Sequence, residues 1–161
     1  MRLVTHSASE TRQLGCTLGE RLQPGDVICL AGDLGAGKTT LTQGLAAGWG
    51  ALDPVSSPTF VLVNEYARAD GARLWHLDCY RLATGAEALA LGLDDLLDAA
   101  AGQPGGAVVI EWPEHIVEAL PSERLTVRLA ASDLETRILT LEPRGARAEA
   151  LAQSLISGGR A

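Results

Sequence analysis

Apolar and polar positions alternate along this chain with two periods, and the switches between them mark out the elements. Ser7 is placed to cap a helix running to about Leu22, with Leu14, Leu18 and Leu22 on one face and Pro24-Gly25 stopping it. Val27 to Ala31 is a continuous apolar run, as expected of a strand covered on both faces. A glycine-rich turn follows, then a second helix from Lys38 to about Trp49, closed by Gly50. Phe60 to Ala67 and Ala72 to Cys79 read as strands around Asp70-Gly71, a hairpin signal. Thr84 to Ala101 is helical with a break at Gly92, and Val108 to Ile110 is another buried strand. Arg124 to Leu129 and Thr136 to Leu141 alternate as a second strand pair, and a last helix starts near Ala146. The pattern predicts an α/β domain with a mixed sheet flanked by helices, one domain over residues 1–161.

Composition narrows the class. With 161 residues, 47% hydrophobic and 20% charged, the chain suits one packed core and neither a disordered nor a fibrous protein. Apolar runs are too short to span a bilayer, and the first residues lack the features of a secretory signal. Cys16, Cys29 and Cys79 are too scattered for a disulfide framework or a zinc site, which points to the reducing cytoplasm. The net charge of −7 would repel a phosphate backbone, so the chain is not expected to hold nucleic acid by itself.

Of the 13 basic residues, one alone is lysine, Lys38, and its surroundings explain it. Gly32-Asp33-Leu34-Gly35-Ala36-Gly37-Lys38-Thr39 satisfies G-x-x-x-x-G-K-[ST] between an apolar strand and a helix. A chance match in a chain of this composition is expected at roughly 0.1%. Such a loop turns successive N–H groups toward phosphate oxygens, with the helix adding its positive end. Lys38 would reach the β- and γ-phosphates, and the Thr39 hydroxyl would bind Mg²⁺. These residues make a P-loop nucleotide site the reading of the segment.

Other candidates are arranged around it. Glu111 follows the buried run at Val108 to Ile110, at the strand end where α/β sheets bind ligands, and could hold Mg²⁺ or orient water. Asp78 ends another strand and could contact the metal directly or through water. Trp112 either packs as a wall or takes a direct part. Ser57-Pro58-Thr59 lies where P-loop proteins carry a switch that senses the γ-phosphate. His76 reads as a packed or hydrogen-bonded neighbour of Asp78, and His6, His76 and His115 have no metal-ligand spacing. No N-K-x-D guanine motif is present, which counts against a GTPase.

G-D-L-G-A-G-K-T-T (Gly32 to Thr40), S-P-T-F (Ser57 to Phe60), H-L-D-C-Y-R (His76 to Arg81) and I-E-W-P (Ile110 to Pro113) together resemble the TsaE family in order and spacing. This is the family of small bacterial ATPases required for threonylcarbamoyladenosine modification of tRNA. The resemblance implies a P-loop NTPase-like fold, and binding and slow hydrolysis of ATP with Mg²⁺ in a cytoplasmic complex with TsaB and TsaD. tRNA is then met only through those partners, and no oligomeric state of the chain alone follows. By position, the resemblance places Gly35, Ala36, Gly37, Lys38, Thr39 and Thr40 at the phosphates. It places Thr39, Glu111 and Asp78 at the metal, Thr59 in the switch, Trp112 beside the acidic residue, and Arg137 near the nucleotide. Two other classes fit a P-loop: a small-molecule kinase, which would need an arginine-rich lid, and a non-enzymatic switch that works by binding alone.

Overall fold

The computed structural model describes residues 1–55 and 62–157. Among the described residues, seven strands form one mixed sheet, ordered β1-β7-β6-β2-β5-β4-β3. The strands are β1 (Arg2–Thr5), β2 (Val27–Ala31), β3 (Val63–Ala67), β4 (Arg73–Asp78), β5 (Gly106–Glu111), β6 (Arg124–Ala131) and β7 (Arg137–Arg144). The helices are α1 (Ala8–Gly19), α2 (Lys38–Trp49), α3 (Gly85–Ala90), α4 (Leu93–Ala101) and α5 (Ala146–Ser157), with 3₁₀ turns at Pro113–His115 and Val117–Ala119. The α/β class and mixed sheet expected from the pattern are those observed. No helix among the described residues is long and apolar enough to cross a membrane.

β2 lies at the centre, parallel to β5 on one side and β6 on the other, and β4 runs parallel to β5. Every β2 residue is buried, as an apolar run covered on both faces requires. Its alternating side chains divide the core in two. Ile28 and Leu30 pack with Leu41 and Leu45 of α2, Leu18 of α1 and Leu151 of α5. Val27 and Cys29 pack with Leu93 of α4, Ala88 of α3 and Ile110 of β5. Helices therefore cover both faces, and the carboxyl ends of β2, β4 and β5 open on one edge.

Local chemistry sets the helix ends. The Ser7 hydroxyl accepts from the Glu10 N–H at 3.1 Å, and the Glu10 carboxylate reaches back to the His6 N–H at 2.8 Å. That reciprocal cap starts α1 where expected, but the helix stops at Gly19, short of Leu22. The helical stretch near Gly92 breaks there, with Gly92 capping α4 at φ 91°. β1 has no sequence pattern that predicts it; it forms by pairing antiparallel with β7, far away in sequence. Pro143 of β7 has its nitrogen on the β1 side, beyond the last β1–β7 pair, Arg2 with Thr140, so it interrupts no pairing of β1.

Two helices meet unusually closely. A Cβ on Gly44 would lie 1.9 Å from the Arg12 carbonyl oxygen, and one on Gly48 2.0 Å from that of Cys16. Gly15 and Gly19 of α1 likewise face the carbonyls of Leu41 and Leu45. Backbone rests on backbone, so α1 clamps the helix that carries Lys38 and Thr39. At the far end of β2, Asp26 accepts two hydrogen bonds from Arg147 at 2.9 and 2.6 Å, fastening α5 to the sheet.

Candidate functional site

The turn from β2 into α2 is built on glycine. At Gly32 a Cβ would lie 2.4 Å from the Leu129 carbonyl oxygen, so the loop can lie against β6 only without a side chain. Gly37 takes φ 105° as the N-cap of α2 and offers no side chain to cap it. The first N–H groups of α2 are thereby left for a ligand, at the positive end of the helix dipole. Lys38 is the first residue of the helix. Its ammonium folds back to donate to the carbonyls of Gly32 and Asp33 and lies 4.1 Å from the Trp112 ring centroid. Burial pushes the Lys38 pKa below its ordinary value, while the carboxylates of Glu111, Glu114, Asp78 and Asp33 pull it back up.

Asp78 and Glu111 stand side by side. They are register partners at the carboxyl ends of β4 and β5, and both side chains line a cleft of about 300 Å³ with Lys38, Thr39 and Trp112. The Asp78 carboxylate accepts the Tyr80 N–H at 3.0 Å. Glu111 is buried, and its Oε1 lies 3.0 Å from His76 Nε2 and 3.3 Å from the Thr42 hydroxyl. The expected pairing of His76 with Asp78 is thus corrected. Both lie on the same face of β4, but β5 brings Glu111 across the strands to His76, and Asp78 turns to Tyr80.

Trp112 lines the cleft, and its ring covers the Lys38 ammonium. It is also the sole non-glycine residue with positive φ among the described residues, at 59°. Tyr80 and His115 pack on it with ring centroids 5.0 and 5.7 Å away. Arg137 stands on the other side of the loop, where an added Gly37 Cβ would be 3.6 Å from its Nε. It lines a second cavity, also about 300 Å³, with Thr40, Gly35, Thr11 and Leu134. Three hydrogen bonds, to the carbonyls of Asp133, Leu134 and Thr136, hold the guanidinium there. Thr59 and the rest of Ser57 to Phe60 lie outside the described residues.

The donor set decides which metal the cleft suits. A hydroxyl at Thr39 and carboxylates at Asp78 and Glu111 are hard oxygen ligands, those of Mg²⁺, with no thiol or imidazole among the lining residues. No group of three or more His, Cys, Asp or Glu among the described residues could hold a metal alone. A magnesium ion here would take its remaining ligands from water and phosphate. Sequence reasoning missed Thr42, Tyr80 and Leu134. Thr42 carried a signal, since it falls one helical turn beyond Lys38 and Thr39, on the face turned to the sheet.

Residues 5–139 match the family model described as threonylcarbamoyl adenosine biosynthesis protein TsaE. The tRNA threonylcarbamoyladenosine biosynthesis protein TsaE of Bacillus subtilis is 40% identical over 152 residues, covering 94% of this chain and 90% of that one. Its counterpart of the same name from Streptomyces coelicolor is 39% identical over 154 residues, covering 91% of this chain and 99% of the other. The crystal structure of YdiB from Bacillus subtilis superposes with a TM-score of 0.79 at 34% identity, over 99% of this chain and 96% of that one.

Proposed function

This chain belongs to the TsaE family, and from that premise we propose that it binds Mg-ATP at the Gly32–Thr40 loop, hydrolyses it, and serves as an accessory subunit of the assembly that makes threonylcarbamoyladenosine in tRNA. One observation supports the chemistry above the rest: Lys38, Thr39, Asp78 and Glu111, which come from three separate elements, line a single cleft.

Each residue then has a task. The N–H groups of Gly35, Ala36, Gly37, Lys38, Thr39 and Thr40 bind phosphate oxygens, and Lys38 adds a point charge at the β- and γ-phosphates. Thr39, Asp78 and Glu111 hold Mg²⁺, which when bound neutralises charge on the phosphates. Glu111 also orients the attacking water, and Thr59 senses the γ-phosphate. Arg137 and the cavity beside it receive the nucleoside half, across the loop from the metal side. Trp112 closes the phosphate side against bulk water.

The tRNA role runs through other proteins. With 20 acidic residues against 13 basic ones, the chain lacks the excess positive charge that a phosphate backbone rewards. TsaB and TsaD are the proposed partners, in the cytoplasm, with ATP ordering the contact. Mixing the purified chain with TsaB and TsaD, with and without Mg-ATP, tests this by size-exclusion chromatography and tRNA gel shift at physiological salt. A nucleotide-dependent complex is expected, with tRNA retained only when the partners are present. Tight tRNA binding by the chain alone, or failure to join the partners in every nucleotide state, would contradict the reading.

A further inference from the structure

We propose that His76 is the positioning residue for Glu111: its Nε2–H holds Glu111 Oε1 in place, so that Oε2 is the oxygen presented to the cleft. This deepens the ATPase reading above and rests on it for the consequence in turnover. His76 is completely buried, and Glu111 retains only 5% exposure. A carboxylate that deep needs donors, and among the described residues it has two, both on the same oxygen: His76 Nε2 at 3.0 Å and the Thr42 hydroxyl at 3.3 Å. Thr42 is the weaker anchor, because its single hydrogen also faces the Lys38 carbonyl at 2.9 Å. The imidazole has no such rival, since His76 Nδ1 has no hydrogen-bond partner among the described residues. A proton on Nε2 gives Glu111 its donor and leaves the bare Nδ1 lone pair unpaired. A proton on Nδ1 would orphan that N–H and place two acceptors face to face.

The elements make this support rigid. His76 is mid-strand in β4, opposite Val109 of β5, while Glu111 is the last residue of β5. Thr42 comes from α2, the helix that also carries Lys38 and Thr39. One carboxylate oxygen is therefore tied to the sheet and, through Thr42, to the phosphate-binding helix. Loss of His76 would free a buried carboxylate to swing toward the Lys38 ammonium. That movement spoils the geometry of the reacting water more than the grip on the nucleotide, because the loop N–H groups are untouched.

The test pairs turnover with a spectroscopic readout. His76→Leu keeps the bulk and removes the donor; His76→Gln restores an N–H within reach of Oε1. His76→Leu is expected to lower kcat at least tenfold, with the ATP dissociation constant within about threefold and an unchanged fold. His76→Gln should recover most of the loss, and adding His76→Leu to Glu111→Gln should slow that variant no further. Full activity in folded His76→Leu, equal loss in both histidine variants, or a further tenfold loss in the double variant would overturn the proposal. Nitrogen-15 NMR of the imidazole in the wild type is independent of turnover and of whether the variants fold. A proton on Nε2, whose signal moves in Glu111→Gln, is the expected result, and a proton on Nδ1 with Nε2 bare would overturn it. If the wild type does not hydrolyse ATP, the ATPase reading falls by itself, and the NMR result still decides whether His76 holds Glu111.

Discussion

The ammonium of Lys38 sits 4.1 Å from the centre of the Trp112 ring while it donates to the carbonyls of Gly32 and Asp33. The one lysine of the chain is thus folded into the loop it serves, with its charge satisfied by carbonyl dipoles and an aromatic face. Trp112 holds this post from a left-handed backbone, a conformation that costs a bulky residue about 1–3 kcal/mol. In the proposed nucleotide complex, phosphate oxygens would compete with these contacts, coupling binding to movement of Lys38 against Trp112.

Lys38→Ala should abolish ATP binding and leave the fold intact, because no other lysine can supply the charge. Calorimetric titration measures it. In the wild type, ATP should also change the tryptophan emission, and that change should vanish in Trp112→Phe, which retains Trp49 and Trp75. Unaltered affinity in a folded Lys38→Ala would remove the phosphate site from this loop.

Thr39→Ala should lose affinity for ATP mainly in the presence of Mg²⁺, since the hydroxyl's proposed task is to hold the metal. Asp78→Asn should do so less severely, its carboxylate being partly engaged by the Tyr80 N–H. Titrations with Mg²⁺ and with EDTA separate the two contributions. An equal effect of EDTA on the wild type and Thr39→Ala would refute the metal role.

Much of this architecture is legible in the chain because it is local. The β2 apolar run, the glycine turn and α2 follow from residues within a few positions of one another, and Val27–Ala31 and Lys38–Trp49 have the ends read for them. What escapes is set by pairings distant in sequence. Arg2–Thr5 has no pattern of its own and becomes a strand only because β7 offers an edge. The local pattern sets His76 beside Asp78 on its own strand, whereas its partner Glu111 is supplied by the register of β4 against β5, which no local pattern encodes. Gly15, Gly19, Gly44 and Gly48 look like weak spots in two helices, and only their packing explains them.

Gly44→Ala should destabilise the protein although alanine is the better helix former. The propensity gain is about 1 kcal/mol, but the new methyl would lie 1.9 Å from the Arg12 carbonyl oxygen, on rigid backbone. Forcing the helices apart costs about 1–3 kcal/mol or more, and it displaces the helix bearing Lys38. A lower melting temperature with weakened ATP affinity is expected from thermal denaturation and titration. A variant as stable as the wild type would show that the α1–α2 contact yields freely.

Asp70 supplies a pH signature in the β3–β4 hairpin. The Arg68 guanidinium, bonded to it at 2.9 and 2.7 Å, and the Ala72 N–H pull its pKa from an ordinary 3.8 to about 2. A lowered folded-state value means that this contribution to stability is full above pH 3.8 and is lost as pH falls through about 2. Asp70→Asn should therefore melt slightly below the wild type at neutral pH, with the gap closing toward pH 2. The effect is small because the pair is exposed to solvent. A gap that stays constant across a pH series of melts would disprove this origin.

Phosphate release by the purified chain, with Mg-ATP and no acceptor, tests the central claim most directly when wild type and Glu111→Gln are compared. The account predicts measurable release by the wild type, and at least a tenfold lower rate in Glu111→Gln with ATP still bound. Release by the variant at the wild-type rate, or phosphoryl transfer that occurs only when an acceptor is added, would contradict it.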